Sequence, residues 1–169
     1  MKLRLKVVLG GLLLASSAFA VQKVVKRSTF VDTNYGFSLE APRFPDAGPT
    51  TAGIALVFSG PPKDGFAPNV NVSVQATATT AKAYRELSFA QLDQLKLKRN
   101  SDRNLKVSGR DAIEVDYEGT IGGSKPLRFL ALAVIDKDRV IQITCTALPE
   151  AFPAVEAEFR ACLQSFKLD

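Results

Sequence analysis

Hydrophobic and polar residues alternate over much of the chain with the period of two that is typical of β-strands. Residues 69–78 show it most clearly, because Val70, Val72 and Val74 lie on one face and polar side chains lie on the other. Residues 127–135 are apolar on both faces, as expected for a central strand. The other predicted strands are residues 30–32, 37–41, 53–59, 105–107, 111–120 and 139–146.

Two segments have the period of an α-helix instead. The first runs to about Lys98 and begins after Thr79 and Thr80, either of which can cap a helix N-terminus. The second covers about residues 150–165, with Pro153 in its first turn, where the missing N–H of proline costs little. Turns of hairpin length join most of the strands, which favours antiparallel pairing over a parallel sheet. The order of elements therefore predicts an α+β domain, an antiparallel sheet with helices packed on it.

The start of the chain has the three parts of a secretory signal peptide in the right order. They are a basic start, an apolar run and a small-residue cleavage motif, provided by Lys2, Arg4 and Lys6, by residues 7–15, and by Ala18-Phe19-Ala20. A membrane span takes about 20 apolar residues, which is more than this run has. Cleavage after Ala20 is therefore predicted, with no transmembrane span in the mature chain; the alternative is an anchor that is never cut. We expect no N-terminal lipid anchor, because the first cysteine is Cys145.

Cleavage would leave one mature domain in the periplasm or outside the cell. Residues 1–20 are the predicted signal peptide, residues 21–29 a polar and basic N-terminal arm, and residues 30–169 one domain that is long enough to bury a core. The net charge of +5 falls to +2 when the three basic residues of the signal are removed. Nucleic-acid binding is not expected, because it usually needs a clustered basic face.

Histidine is absent from the chain. Its absence excludes a Ser-His-Asp or Cys-His catalytic site and removes the commonest neutral metal ligand. An acid–base enzyme would instead need a carboxyl group with a raised pKa in a cleft. The only notable carboxylates lie on a strand face that the pattern predicts to be solvated. We therefore expect a protein that is not an enzyme, with no cofactor and no metal site.

Cys145 and Cys162 are the only cysteines. Cys145 lies on the apolar face of the last long predicted strand, and Cys162 lies on the apolar stripe of the last helix. An even pair in an oxidising compartment favours a disulfide, which would join helix to sheet and stabilise the fold by about 3 kcal/mol. A redox-active pair is disfavoured, because the spacing is not C-x-x-C and no His or nearby Lys would lower a thiol pKa. Two buried free thiols are the remaining alternative.

Glu114, Asp116 and Glu118 form an acidic row on one face of a predicted strand. Several such oxygens can bind Ca²⁺ or another hard cation. Side chains two residues apart on a strand are separated by about 6.6 Å, which is too far for all three to hold one ion. The favoured interpretation is a solvated strand face, with Arg128 or Arg139 of neighbouring strands as partners.

Two further features are candidate contacts for a partner. One is a basic stretch at the end of the first helix and in the next loop, which could meet an acidic protein or anionic lipid headgroups. Its residues are Lys96, Lys98, Arg99, Arg103 and Lys106. The favoured alternative is a helix C-terminus whose cations interact with the helix dipole. The other feature is Phe66, between two proline clusters, which could contact a partner protein or could cover the sheet edge.

Several short motifs follow one another in the order found in a known family. They lie at residues 35–39, 66–72, 107–112, 140–144 and 164–166, with Tyr117 between the third and the fourth. In their order and spacing, over roughly residues 28–168, the chain resembles the PsbP-like superfamily. The bacterial envelope branch of that superfamily, which is DcrB-like, fits best.

The resemblance implies an antiparallel β-sheet sandwiched by α-helices and a non-catalytic role in binding. It brings no catalytic motif. The first hypothesis is therefore an exported accessory or protein-interaction protein of the bacterial periplasm or cell exterior, with an unknown protein partner in the cell envelope. The second is a carrier for a small or lipid-like ligand held between sheet and helix, which an open apolar pocket would favour.

Overall fold

The computed structural model describes residues 27–44, 49–52, 55–122 and 125–169. The predicted signal peptide, its cleavage site and residues 21–26 of the predicted arm lie outside these ranges. The helices are α1 (Ala81–Gln94) and α2 (Phe152–Ser165). The strands are β1 (Thr29–Asp32), β2 (Phe37–Glu40), β3 (Pro49–Ala52), β4 (Ala55–Ser59), β5 (Asn69–Ala76), β6 (Lys98–Val107), β7 (Arg110–Gly119), β8 (Leu127–Asp136), β9 (Arg139–Ala147) and β10 (Lys167–Leu168).

Seven strands form one antiparallel sheet in the order β3-β4-β5-β9-β8-β7-β6. The apolar strand β8 lies in its interior between β9 and β7, as the sequence predicts. The first two strands form a hairpin, and β10 pairs with β2 to complete a separate three-stranded sheet. The predicted α+β fold is confirmed.

Helix α2 buries one face of the large sheet. Side chains alternate across a strand, so every second residue of β8 and β9 points to the same side. The sheet side chains on this face include Leu130, Leu132, Ile141, Ile143 and Cys145, and those of α2 include Phe152, Phe159, Cys162 and Leu163. None of these is more than 3 % exposed. This contact is the hydrophobic core of the domain, and it explains why the sequence shows an apolar stripe along α2.

Helix α1 is attached to the sheet in a different way. Its N-terminus is capped by Thr80, whose hydroxyl accepts a hydrogen bond from the N–H of Ala83 at 3.2 Å. The helix ends at Gln94 rather than at about Lys98, because Lys96 takes a left-handed φ of 56° and the chain then turns into β6. No residue of α1 is buried. Within the described part of the chain, neither helix is long and apolar enough to cross a membrane.

Three predictions about strands differ from the structure. The basic stretch predicted as a helix end and a loop is strand β6, at the edge of the large sheet. Strand β3, which begins at Pro49, and the short strand β10 are not among the predicted strands. All three strands are short or polar, so they form through pairing with distant strands and not through a local apolar pattern.

Asp116 and Asp136 are buried carboxylates that accept hydrogen bonds from arginines. The donor to Asp116 is Arg128, and the donors to Asp136 are Arg139 and Arg110. Burial raises the pKa of both carboxyl groups, but the hydrogen bonds and charges around them outweigh burial and hold each pKa below its ordinary value of 3.8. The ionised carboxylates therefore stabilise the fold above about pH 4, and this stabilisation is lost as the pH falls through the lowered pKa values.

We expect the melting temperature to be nearly constant around neutral pH and to fall on acidification below about pH 4. Asp116→Asn should lower it at neutral pH and reduce the acid-dependent fall, because Arg128 loses its buried counter-charge. Asp111→Asn is the matched control, since Asp111 pairs with Lys106 at the surface and should contribute little. The melting temperatures of the wild type and of both variants are measured by thermal unfolding, monitored by circular dichroism. A wild-type melting temperature that does not respond to acid would contradict the assignment.

Candidate functional site: a cavity beneath helix α1

The face of the large sheet opposite α2 is filled less completely. Along β8, Leu130 and Leu132 point toward α2, whereas Ala131 and Ala133 point toward α1. The alanines pair across the sheet with residues of β7, Ala133 with Ile113 and Ala131 with Val115. Because an alanine side chain is short, the floor beneath α1 is recessed at the centre of the sheet.

A cavity of about 290 Å³ lies between this floor and α1. Its volume is close to the lower limit of typical ligand pockets, about 300 Å³. Helix α1 and the turn after it form one wall, and strands of the sheet form the other. The lining residues are Gln75, Tyr84, Arg85, Leu87, Ser88, Gln91, Leu92, Leu95, Leu97, Ile113, Val115, Tyr117, Ile121, Ala131, Ala133 and Gln142.

Polar contacts with the sheet help to hold α1 over the cavity. The Tyr84 hydroxyl donates a hydrogen bond to Oε1 of Gln142 on β9 at 3.1 Å. The guanidinium of Arg85 forms an ion pair with Asp102 of β6 and donates a second hydrogen bond to Asn104, at 2.9 Å. These contacts join the helix to the sheet at separated points and leave the space between them open.

Gly119 and Leu97 fix the turn that brings the chain from α1 into β6. Gly119 has a φ of +153°, and a Cβ built on it would lie 2.6 Å from a methyl carbon of Leu97. Glycine is therefore required for Leu97 to approach so closely. Leu97 is itself buried and lines the cavity, so this contact sets one end of the cavity wall.

The ionisable groups that line the cavity are Tyr84, Arg85 and Tyr117. Burial raises the pKa of Tyr84, and burial together with the nearby Tyr84 raises that of Tyr117 to about 12. Both phenols therefore stay protonated at neutral pH, and the Arg85 guanidinium is already paired. The arrangement suits binding through apolar contact and hydrogen bonds, and it places no general acid or base of suitable pKa among the lining residues.

The open side of the cavity carries exposed apolar side chains. Leu87 is 59 % exposed, Leu95 is 53 % exposed and Ile121 is 41 % exposed, and all three also line the cavity. Single exposed apolar residues are normal, but three around one opening form a patch of the kind found at binding surfaces. None of the site residues predicted from the sequence lines this cavity. The signals of the cavity in the sequence are the alternation of Ala with Leu in β8 and the glutamines Gln75 and Gln142, on strands whose other face is apolar.

Phe66 lies away from this cavity. It is half-buried and forms an isolated β-bridge with Lys63, which closes the tight turn at Asp64 and Gly65. It lines a second cavity of about 270 Å³ beside the first turns of α2, together with Phe44 and other residues. The interpretation of Phe66 as a residue that covers the edge region fits this position, and its role as a partner contact stays a prediction.

The predicted basic stretch is a row of ion pairs along β6. Four of its five cations face a carboxylate, and Lys96 lies in the turn before the strand. The pairs are Lys98–Glu118 at 2.9 Å, Arg99–Asp102 at 3.4 Å, Arg103–Glu114 at 2.9 Å and Lys106–Asp111 at 2.8 Å. The interpretation as a helix C-terminus is therefore wrong, and the positive charge of the row is locally compensated. Partner binding through Lys96, Lys98, Arg99 and Arg103 stays a prediction.

The acidic row of β7 is not a solvated face. The side chains of Asp116 and Glu114 are only 5 % and 12 % exposed, because they lie on the side of the sheet that α2 covers. Arg128 pairs with Asp116 at 2.8 Å, which confirms one of the two predicted partners, and its guanidinium lies 4.2 Å above the Phe152 ring. Arg160 of α2 approaches Glu114 at 3.6 Å. Among the described residues, no three side chains of metal-ligand type are grouped to hold an ion.

Cys145 and Cys162 are free thiols in the structure, so the predicted disulfide is not seen in it. They lie in the same core, on β9 and α2 respectively, and both are fully buried. Burial raises the pKa of Cys162 to about 12 and raises that of Cys145 well above its ordinary range. Because the thiolate is the reactive form, this environment argues against a redox-active pair.

The disulfide stays a prediction for protein exported into an oxidising compartment. Protein isolated from that compartment without reductant should not react with a maleimide after unfolding in denaturant, because both sulfurs would be bonded. Reduction before labelling should add two labels, counted by intact mass spectrometry. Two labels without reduction would show that the cysteines remain buried free thiols.

No family model and no curated protein matches the chain, but solved structures do. Cyanobacterial PsbP from Synechocystis sp. PCC 6803 has a TM-score of 0.61 and 16 % identity over 92 % of this chain and 99 % of its own. LpqN of Mycobacterium tuberculosis, which is involved in cell envelope biogenesis, has a TM-score of 0.61 and 15 % identity over 85 % of this chain and 90 % of its own. PA94 of Pseudomonas aeruginosa, a protein of unknown function, has a TM-score of 0.56 and 17 % identity over 82 % and 94 %. At these identities the likeness is one of fold, and the chain has the PsbP-like fold.

Proposed function

We propose that this chain is an exported, non-enzymatic accessory protein of the bacterial cell envelope that acts by binding. The observation that carries the proposal is the open side of α1, where a cavity and exposed leucines lie together and no residue of the helix is buried. The signal-peptide pattern of the first twenty residues supports export. The PsbP-like fold, which LpqN shares, supports a place in the envelope.

A binding role agrees with the chemistry of the cavity better than catalysis does. The chain has no histidine, and the phenols of Tyr84 and Tyr117 have pKa values raised by burial. A general acid or base works best when its pKa lies near the operating pH. An acid–base enzyme without histidine would need a carboxyl group in the cavity. The carboxylates Asp116 and Glu114 lie on the other face of the sheet and are paired with arginines.

In its first form, the proposal is that a partner protein of the envelope docks on the α1 side. Leu87→Asp and Leu95→Asp should each abolish crosslinking to that partner, since a charge at the centre of an apolar contact is costly. Val31→Asp is the matched control, because Val31 is 58 % exposed but lies on β1. Crosslinking in intact cells followed by mass spectrometry identifies the partner. A partner that is lost equally from all three variants, or from none, would contradict docking on α1.

The cavity itself favours a second candidate function, that of a carrier for a small apolar ligand. It is open once the core is packed, and its floor of Ile113, Val115, Ala131 and Ala133 is apolar. An apolar floor of this kind is the usual basis of small-ligand binding. The carrier function requires the ligand to occupy the space over the alanines.

A neutral fluorescent probe, N-phenyl-1-naphthylamine, tests the carrier function. The purified chain should bind the probe, and Ala133→Leu should weaken binding by about tenfold or more, because the larger side chain fills the cavity. Ala154→Leu is the control, since Ala154 lines the second cavity beside α2. If Ala154→Leu loses binding while Ala133→Leu retains it, the probe binds in the second cavity, beside α2, and the carrier function of the cavity beneath α1 is rejected.

A further inference from the structure

The cavity beneath α1 has a polar side and an apolar side. Gln75 of β5 and Gln142 of the neighbouring strand β9 form the polar side, with Tyr84 of α1 bonded to Gln142. The apolar side lies on β8 and β7, where Ala133 and Ile113 pair across the sheet. These four strands are consecutive in the sheet, so the cavity extends over about 14 Å at roughly 4.8 Å for each strand spacing. The sheet floor therefore matches a ligand that is polar at one end and apolar along the rest, while Arg85, Ser88 and Gln91 of α1 line the opposite wall.

From this division we infer that the cavity binds an uncharged, single-chain amphiphile, with its head beside Gln75 and Gln142 and its chain across β8 and β7. The inference rests on the proposed carrier function and names the ligand class that this function would serve. The alkyl chain of the ligand would lie on the recessed floor made by Ala131 and Ala133 and beneath Leu92 of α1.

The volume limits the ligand to one chain. A cavity of about 150 Å³ accepts a benzene molecule. The cavity here has a volume of about 290 Å³. It therefore holds a ligand of roughly twice the size of benzene, or about a dozen non-hydrogen atoms. A single medium-length chain or a small ring system meets this limit, whereas the two acyl chains of a phospholipid exceed it.

The lining residues exclude a charged head. Among the lining residues that the structure describes, there is no carboxylate, and the cation Arg85 is already engaged by Asp102 and Asn104. A charged head would give up its hydration without gaining a counter-charge, which is costly. The amide of Gln142 accepts the Tyr84 hydrogen bond through Oε1 and donates one hydrogen bond to the Thr144 hydroxyl at 3.3 Å, which leaves one N–H and one oxygen lone pair for a ligand. Together with the amide of Gln75, these groups suit a hydroxyl, amide or carbonyl head.

Three single-chain probes with a main chain of ten carbons test the inference: decanol, decanoate and decyltrimethylammonium. Each is titrated against the complex of the purified chain with N-phenyl-1-naphthylamine, at neutral pH and below its micelle concentration. We expect decanol to displace the dye with a Kd at least about tenfold lower than that of either ion, because only its head can be satisfied by amides.

The variant Gln142→Glu separates recognition by the cavity from the general preference of apolar sites for neutral molecules. It keeps the size of the side chain and an oxygen that can accept the Tyr84 hydrogen bond, and it places a carboxylate at the polar end. The ratio of the decyltrimethylammonium Kd to the decanol Kd should fall by about tenfold or more. Ala154→Leu, in the second cavity, should leave the ratio unchanged.

The outcomes distinguish this inference from the function on which it rests. If the dye binds in an Ala133-dependent way but decanoate or decyltrimethylammonium displaces it as well as decanol does, the carrier function stands and the neutral head is wrong. An unchanged ratio in Gln142→Glu places the head elsewhere and also overturns the inference. Failure of the dye to bind at all rejects the carrier function, and the inference falls with it.

Discussion

Burial of one sheet face beneath α2 is the constraint on which the rest of the domain depends. Phe152 and Phe159 of α2 are fully buried against Ile141 and Ile143 of β9, and the same core receives Leu39 of the small sheet. Burial of this apolar surface supplies the main driving force for folding. Because α2 meets this requirement, α1 can lie on the opposite face without a buried residue. Core stability and the candidate binding surface are thus placed on different sides of one sheet.

The elements with a strong local pattern are predictable from the sequence. Strand β5 alternates valines with polar residues, and β8 is apolar on both faces; both lie where their patterns indicate. Helix α2 also follows from its stripe of apolar residues. These patterns are reliable because each reflects burial against the same core, so that local preference and tertiary packing agree. The order of the motifs adds the PsbP-like fold, which the solved structures confirm.

The remaining features depend on contacts between distant residues. Strand β6 is polar, and it forms because β7 offers backbone pairing and carboxylates for its cations. Alternation places Glu114 and Asp116 on one face of β7, but it does not show that α2 covers this face and brings Arg160 to it. The cavity is set by the distance between α1 and the sheet. No local pattern encodes that distance, although Ala131 and Ala133 between leucines indicate the missing volume.

The row of ion pairs on β6 has a consequence for how copies of the chain meet. β6 is the outer strand of the large sheet as far as the structure describes it, and an outer strand can accept a strand from another molecule. Here the edge carries four long cations, Lys98, Arg99, Arg103 and Lys106, and its register shifts between Arg99 and Ser101. Charged side chains and a bulge both obstruct the flat alignment that strand addition requires. The polar sequence of β6 thus protects the domain against polymerisation through its sheet edge.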